Sequence, residues 1–245
     1  MAAFERGAAA IHYDLEGIDD GFPVLLIAPG GMRSANEIWN GTPWNPRSAL
    51  ADSFRLIGMD QRNAGRSSAP VTPDDDWATM RDDQLGLLDH LGVERCHVVG
   101  MCIGGPYIAG LLRAAPDRFA SAVMLQPVGI EPDGSNRAAF YEMFDGWVEL
   151  QADRHADVAA STWDAFRSNL WDGSFLLTAT PDDVAAIDTP LLVAMGNDLY
   201  HPESTSRTLA AHAPNVTFVE DWKEGDALAA FDHVARGFLT EHATG

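Results

Sequence analysis

The sequence feature that most constrains the fold is a glycine-bounded turn between a predicted strand and a predicted helix. Residues 100–105 read Gly-Met-Cys-Ile-Gly-Gly. They follow the apolar run 96–101, which predicts a buried strand, and open a predicted helix over about 103–115. Glycine two positions before and after Cys102 lets the strand and the helix approach closely around one exposed side chain. This spacing predicts a nucleophile elbow with Cys102 at its apex. The alternative is a glycine-rich turn that carries an inert buried thiol.

Apolar runs alternate with helical patterns along the chain, which predicts an α/β fold with a mostly parallel, twisted sheet and helices on both faces. Strands are predicted at 10–15 (an edge strand), 22–28, 54–59, 96–101, 121–128, 190–196 and 216–219. Besides the helix after the elbow, helices are predicted at 77–91 and 226–241. Residues 131–188 lack a strand pattern and are rich in aromatic side chains. We expect them to form a helical lid on a single core domain built from 1–130 and 189–245.

Composition excludes several classes of partner. The formal net charge of −20 disfavours binding to the phosphate backbone of nucleic acids. No apolar run approaches the roughly 20 residues that cross a bilayer, and the first residues do not resemble a signal peptide. Cys96 and Cys102 lie about 20 Å apart along one predicted strand, too far for a disulfide. Two free thiols indicate a reducing compartment, so a cytoplasmic location is expected.

Four segments, taken in order, resemble the α/β-hydrolase superfamily in its lid-bearing branch. Pro29-Gly30-Gly31-Met32 ends the first apolar strand, where many members carry His-Gly-x. The stretch 60–67 (DQRNAGRS) is similar to the family segment Asp-x-Arg-Gly-x-Gly-x-Ser. The elbow follows, with Cys102 in place of the usual serine. Finally, 197–202 (NDLYHP) resembles the turn that carries the acidic member of the catalytic triad.

The resemblance implies roles for five residues. Cys102 would be the nucleophile and Asp198 the acid that orients a histidine. The backbone N–H groups of Gly31 or Met32, together with that of Ile103, would form the oxyanion hole. The start of a helix favours an anion, so Cys102 is expected to be partly thiolate near neutral pH.

The catalytic histidine of the family is missing from its usual place. The family carries it in the loop after the last strand, and here that loop, 220–226, reads EDWKEGD. Three side chains are candidates for the base: His201, three residues after Asp198; His233 in the last predicted helix; and Lys223 within the loop itself. His201 is favoured because it accompanies Asp198 at the expected rim of the pocket.

The expected activity is hydrolysis of an ester, thioester or lactone of a small apolar acid. Arg137, Phe144 and Trp147 of the lid are predicted to line the substrate pocket. Because the usual histidine is absent, the alternative is a non-hydrolytic member of the fold, either a lyase or cyclase or a ligand-binding protein without catalysis. No cofactor is expected, and no residue spacing predicts a metal site. The expected partner is a small-molecule substrate. A homodimer is compatible with the sequence, which does not fix the oligomeric state.

Overall fold

The structure is a computed structural model that describes residues 2–243. It contains one eight-stranded sheet with helices on both faces, so the predicted α/β-hydrolase fold is confirmed. The strands are β1 (Ala2–Arg6), β2 (Ala9–Gly17), β3 (Pro23–Ile27), β4 (Arg55–Met59), β5 (Cys96–Met101), β6 (Phe119–Leu125), β7 (Leu191–Ala194) and β8 (Val216–Val219). The helices are α1 (Pro46–Ala49), α2 (Trp77–His90), α3 (Gly104–Ala114), α4 (Arg137–Gln151), α5 (Ala160–Trp171), α6 (Pro181–Ala185), α7 (Glu203–His212) and α8 (Gly225–Glu241).

The sheet order is β1-β2-β4-β3-β5-β6-β7-β8. Strand β2 pairs antiparallel with both β1 and β4, and all later neighbours are parallel. The central strands β5 and β6 are buried along their whole length, as expected for strands covered by helices on both faces. Parallel strands bring their carboxyl ends to one edge, so the loops after β3, β5 and β7 meet there.

The sequence analysis misplaced the edge of the sheet. Residues 10–15 were expected to form an edge strand, but β2 lies inside the sheet because β1 pairs with it from outside. β1 is five residues long and mostly exposed, so it carries no apolar run that would have revealed it. The strand predicted at 121–128 runs instead from Phe119 to Leu125, and it ends where Gln126 takes a φ of 38°.

Three helices lie between β6 and β7, within the segment 131–188 that was expected to be a lid. Helices α4 and α5 pack on each other through buried aromatic side chains, and α4 also contacts the 3₁₀ turn Gly31–Arg33 that follows β3. This segment therefore lies over the carboxyl edge of the sheet. Among the described residues no helix is long and apolar enough to cross a membrane.

A buried histidine in β5 makes the stability of this fold depend on pH. His97 is fully buried and is hydrogen-bonded through Nδ1 to Ser121 Oγ at 2.8 Å. Burial lowers the pKa of His97 to about 4, with Coulombic repulsion from His242 and Arg95 contributing. In the unfolded chain the imidazole takes up its proton near pH 6.5. The unfolded state therefore binds the extra proton, and the free energy of unfolding is expected to fall by on the order of 2 kcal/mol between pH 7.5 and 4.5.

Urea unfolding at these two pH values checks this prediction. His97→Gln removes the titrating group, so the variant should lose less stability than the wild type over the same interval, whatever its stability at pH 7.5. Equal losses in the two proteins would show that His97 does not contribute to acid sensitivity.

Candidate active site

The turn between β5 and α3 places Cys102 at the apex of a tight elbow. Cys102 has a φ of 61°, a backbone conformation that non-glycine residues rarely adopt. Three hydrogen bonds hold it: its N–H donates to Leu125 O at 2.9 Å, and its carbonyl oxygen accepts from Gly105 and Val128, each at 3.0 Å. A Cβ at Gly100 would lie 2.9 Å from the Cα of Gly104, so these two glycines allow the strand and the helix to meet.

Two residues whose backbone N–H groups are predicted oxyanion donors lie beside Cys102. Gly31 and Ile103 both line the cavity next to it. Gly31 has a φ of 58°. Met32, the alternative donor from the same turn, is 3% exposed, packs into the hydrophobic core and does not line the cavity. The structure thus brings two of the three predicted oxyanion residues to the sulfur.

His201 and Asp198 form a close pair in the loop after β7. The Nδ1 atom of His201 lies 2.7 Å from Oδ1 and 2.8 Å from Oδ2 of Asp198. The same carboxylate also accepts the backbone N–H groups of Tyr200 and His201, at 3.0 and 3.1 Å. An acceptor on Nδ1 leaves Nε2 free to exchange a proton elsewhere. Nε2 is buried and has no hydrogen-bond partner of ordinary geometry among the described residues.

A tight turn explains why residues three apart form this pair. The backbone N–H of Asp198 donates to the carbonyl of His201, and the N–H of His201 donates back to the carbonyl of Asp198. Aspartate side chains commonly bond to backbone N–H groups two or three residues ahead, which stabilises such turns. Pro202 then leads directly into α7. The imidazole side chain of His201 is directed inward and is 11% exposed, whereas the side chain of Asp198 is 49% exposed.

The sulfur and the imidazole favour each other's charged forms. Burial alone raises the pKa of the Cys102 thiol, but its interaction with His201 and the backbone N–H groups of Gly30 and Ile103 lower it, and the net shift is downward. Burial lowers the pKa of His201, but Cys102 and Asp198 raise it, and the net shift is upward. Partial burial raises the pKa of Asp198, but the same imidazole and the backbone N–H groups of His201 and Tyr200 lower it, and the net shift is downward. Each shift favours the charged form of its group, so both act toward a thiolate–imidazolium pair.

A small apolar cavity of about 160 Å³ opens beside the sulfur. It is lined by Gly30, Gly31, Cys102, Ile103, Val128, Phe140, Met143, Trp171, Tyr200 and His201. None of these lining residues is an arginine, a lysine or a carboxylate. A cavity of about 150 Å³ accommodates a molecule the size of benzene. The cavity therefore suits a small uncharged group placed beside the Cys102 sulfur.

The three pocket residues predicted from the lid lie elsewhere. Phe144 and Trp147 are fully buried and pack edge-on against Phe166, inside the helical layer. The guanidinium of Arg137 donates to the carbonyl of Trp171 and lies at a separate depression. These three residues are absent from the lining of the cavity, which corrects their assignment as pocket residues.

Three other side chains from this part of the chain close the cavity. Phe140 and Met143 come from α4, and Trp171 ends α5. The sulfur of Met143 lies so close to Gly31 that a Cβ there would be 2.6 Å from it. The apolar residues of α4 recur with helical periodicity on one broad side of the helix, so the sequence does not distinguish those that line the cavity from those that pack elsewhere. Only the rotation of the helix decides which of them reach Cys102.

The loop after β8 contributes no base to the cavity. Trp222 is buried there, and Lys223 extends over its ring with Nζ donating to Asn197 Oδ1 at 3.0 Å. His233 is exposed on α8. Neither Lys223 nor His233 lines the cavity, whereas His201 does. Within residues 2–243 no three His, Cys, Asp or Glu side chains form a cluster able to hold a metal ion.

Comparison with known proteins agrees with this architecture. The family described as alpha/beta hydrolase fold matches residues 23–160, which is more than half of the chain. This chain belongs to the α/β-hydrolase family. A protein of Caulobacter sp. (strain K31) that carries the name carbamate hydrolase RutD is 30% identical over 207 residues, covering 73% of this chain and 76% of that one. Carboxylesterase YbfK of Bacillus subtilis (strain 168) is 25% identical over 218 residues, covering 79% and 71%.

Solved structures extend the likeness in fold over nearly the full length. The enol-lactonase of Burkholderia xenovorans LB400 superposes with a TM-score of 0.71 at 21% identity, covering 98% of this α/β hydrolase and 100% of that chain. A meta-cleavage product hydrolase of Pseudomonas fluorescens IP01 gives a TM-score of 0.72 at 20% identity, with 98% of both chains covered. At these identities the likeness concerns the fold alone.

Proposed function

We propose that this α/β hydrolase uses Cys102 as a nucleophile to cleave an ester, thioester or lactone of a small uncharged acid. The observation that carries the proposal is the buried imidazole of His201, which is held by Asp198 through Nδ1 and shares one cavity with the Cys102 sulfur. Two residues of one short loop thus replace the acid and the base that the family takes from two loops. The names of the relatives, a carbamate hydrolase and a carboxylesterase, support acyl-type chemistry with water.

In the first half of the reaction, the Cys102 thiolate attacks the substrate carbonyl carbon and forms a carbon–sulfur bond. The carbonyl oxygen becomes an oxyanion that accepts hydrogen bonds from the N–H groups of Gly31 and Ile103. When the oxyanion collapses, the bond to the leaving group breaks and the His201 imidazolium protonates the departing oxygen or sulfur. An ester or thioester yields a free alcohol or thiol and an acyl group on Cys102, whereas a lactone yields one acyl group on Cys102 that carries the released hydroxyl.

In the second half, neutral His201 accepts a proton from a water molecule, and the resulting hydroxide attacks the thioester. The carbon–sulfur bond breaks, the acid leaves, and the thiolate–imidazolium pair is restored. Asp198 keeps Nδ1 protonated throughout, so that Nε2 alone exchanges protons. The 131–188 segment acts in this proposal as the lid that excludes bulk water. Two free thiols suit a reducing compartment such as the cytoplasm.

The apolar lining of the cavity indicates which acyl groups the site accepts. No arginine or lysine lines the cavity to pair with a substrate carboxylate, the imidazolium of His201 is already engaged by Asp198, and burial of an unpaired charge is costly. We therefore expect short uncharged acyl groups to be favoured over acyl groups that carry a carboxylate. The volume of about 160 Å³ limits the acyl part to about the size of benzene.

The test is a rapid-mixing experiment with nitrophenyl esters and thioesters of two- to six-carbon acids, followed by intact-mass and peptide mass spectrometry. A burst of nitrophenol or nitrothiophenol stoichiometric with enzyme is expected. Fragment ions of the tryptic peptide 96–113, which carries both cysteines, should place the acyl group on Cys102 and not on Cys96. Turnover without any adduct on Cys102 would contradict the covalent mechanism. Absence of turnover, combined with a rise in melting temperature on ligand addition, would instead indicate a binding protein.

A further inference from the structure

Only part of the cavity wall presents surface that a bound molecule can touch without displacing side chains. Phe140 and Trp171 line the cavity, but they stack on each other and are 1% and 0% exposed. Besides Cys102 itself, the lining side chains that are only partly buried are those of Met143 and Tyr200. A molecule held in the cavity therefore contacts Met143 and Tyr200.

These two side chains differ in how firmly they are held. The backbone N–H of Tyr200 donates to Asp198 Oδ1 at 3.0 Å, in the turn that positions His201. Its ring packs edge-on against Phe140 at a centroid distance of 5.4 Å. Met143 comes from α4 and has an unbranched, flexible thioether side chain. Its length can be changed without removing a hydrogen bond from the catalytic residues.

The order of the strands decides which part of the substrate lies against Met143. β5 has β3 on one side and β6 and β7 on the other, so Gly31 and His201 flank Cys102 from opposite sides. Met143 lies on the Gly31 side, where an added Cβ would be 2.6 Å from its Sδ and 3.4 Å from its Cε. The leaving group must reach Nε2 of His201 to receive its proton. The acyl chain is thereby directed to the other side, toward Met143.

We infer that Met143 sets the upper length of the acyl group that this enzyme accepts. Its Sδ and Cε occupy the space beside Gly31 into which a longer chain would extend. Acyl groups that fit within about 160 Å³ are accepted, and longer ones meet this side chain. The inference rests on the proposed function and identifies a specificity-determining residue of the same site.

The experiment changes the size of this side chain and measures acyl-length selectivity. kcat/KM for nitrophenyl octanoate divided by that for nitrophenyl butanoate gives a length ratio. Met143→Ala removes Cγ, Sδ and Cε from the cavity wall, which opens space for one to three further methylene groups. At about fourfold for each methylene group buried, the length ratio should rise by roughly 4- to 60-fold. Met143→Phe enlarges the side chain and should lower the corresponding ratio of butanoate to acetate.

A second methionine provides a control of the same residue type. Met195 is also partly buried, but it lines a separate depression with Trp222 and Lys223. Met195→Ala should leave the length ratio unchanged. The thioesters S-ethyl and S-hexyl butanethioate vary the leaving group at a constant acyl part, and their ratio should not change in Met143→Ala. An unchanged length ratio in Met143→Ala, an equal rise in Met195→Ala, or a change confined to the leaving-group series would overturn the inference.

Binding of unreactive amides separates the inference from the proposed chemistry. In the wild type, octanamide should raise the melting temperature less than butanamide does, each relative to the ligand-free protein. Met143→Ala should increase the octanamide shift and leave the butanamide shift nearly the same. If no ester forms an adduct on Cys102, the proposed function fails, and the two amides still decide whether Met143 limits the length of the cavity. An octanamide shift that is equal in wild type and variant would contradict this role.

Discussion

Replacing Cys102 with alanine is expected to lower kcat/KM toward activated esters by about 10³-fold or more. In the proposed mechanism this side chain forms the acyl bond, and the oxyanion donors that remain cannot substitute for a missing nucleophile. The cavity, His201 and Asp198 stay in place, so substrate binding should change little. The measurement is steady-state hydrolysis of a nitrophenyl ester, together with the melting temperature to show that the fold is retained.

The second cysteine supplies the matched control for this prediction. Cys96 is fully buried at the start of β5, and burial raises the pKa of its thiol to about 12, so it holds no thiolate at neutral pH. Cys96→Ala should keep the wild-type rate. If Cys102→Ala retained more than about a tenth of the activity, another group would have to perform the attack, and the covalent mechanism would be wrong.

The elbow was predictable because its cause is local. Gly100 and Gly104 flank Cys102 at fixed spacing, and the close approach that they permit is a property of the backbone around one turn. The strands other than β1 were predictable because buried apolar runs alternate with helical patterns along the chain. The edge strand β1 was missed because it pairs with residues that follow it in a short hairpin and buries little of its own surface.

The lining of the cavity was not predictable from periodicity. Phe140, Met143 and Phe144 all lie on the apolar side of α4, and the sequence pattern does not rank them. Contact of α4 with the turn around Gly31 directs Met143 toward the cavity, while packing against α5 draws Phe144 into the helical layer. Such choices depend on the rotation of one helix against two neighbours, which is a tertiary effect.

The position of the candidate base was only partly predictable from the sequence. The sequence showed that the loop after β8 lacks a histidine, and it offered His201, His233 and Lys223 as replacements, with His201 favoured because it follows Asp198 by three residues. The decision depends on the turn in which Asp198 and His201 bond to each other's backbone, and this turn directs the imidazole inward. A carboxylate and a histidine three residues apart were visible in the sequence; the direction of the imidazole was not.

His201→Gln is expected to lower kcat/KM by about 10²- to 10⁴-fold, because the leaving group loses its acid and the acyl-enzyme loses its base. The same variant should raise the pKa at which Cys102 is alkylated by iodoacetamide. In the wild type, the pKa of Cys102 is lowered mainly by His201 acting against burial, so burial prevails once the imidazole is removed. At pH 7 the thiolate fraction, and with it the alkylation rate, should fall.

The pH dependence of kcat/KM in the wild type tests the direction of the pKa shifts of Cys102 and His201. The thiolate–imidazolium pair exists above the lowered pKa of Cys102 and below the raised pKa of His201, so kcat/KM should follow a bell whose two limbs belong to the coupled pair. Lys223→Gln and His233→Gln serve as controls, since neither side chain lines the cavity, and both should keep the wild-type profile. If Lys223→Gln abolished activity while His201→Gln retained it, the base would lie in the loop after β8, and the pairing of Asp198 with His201 would have only a structural role.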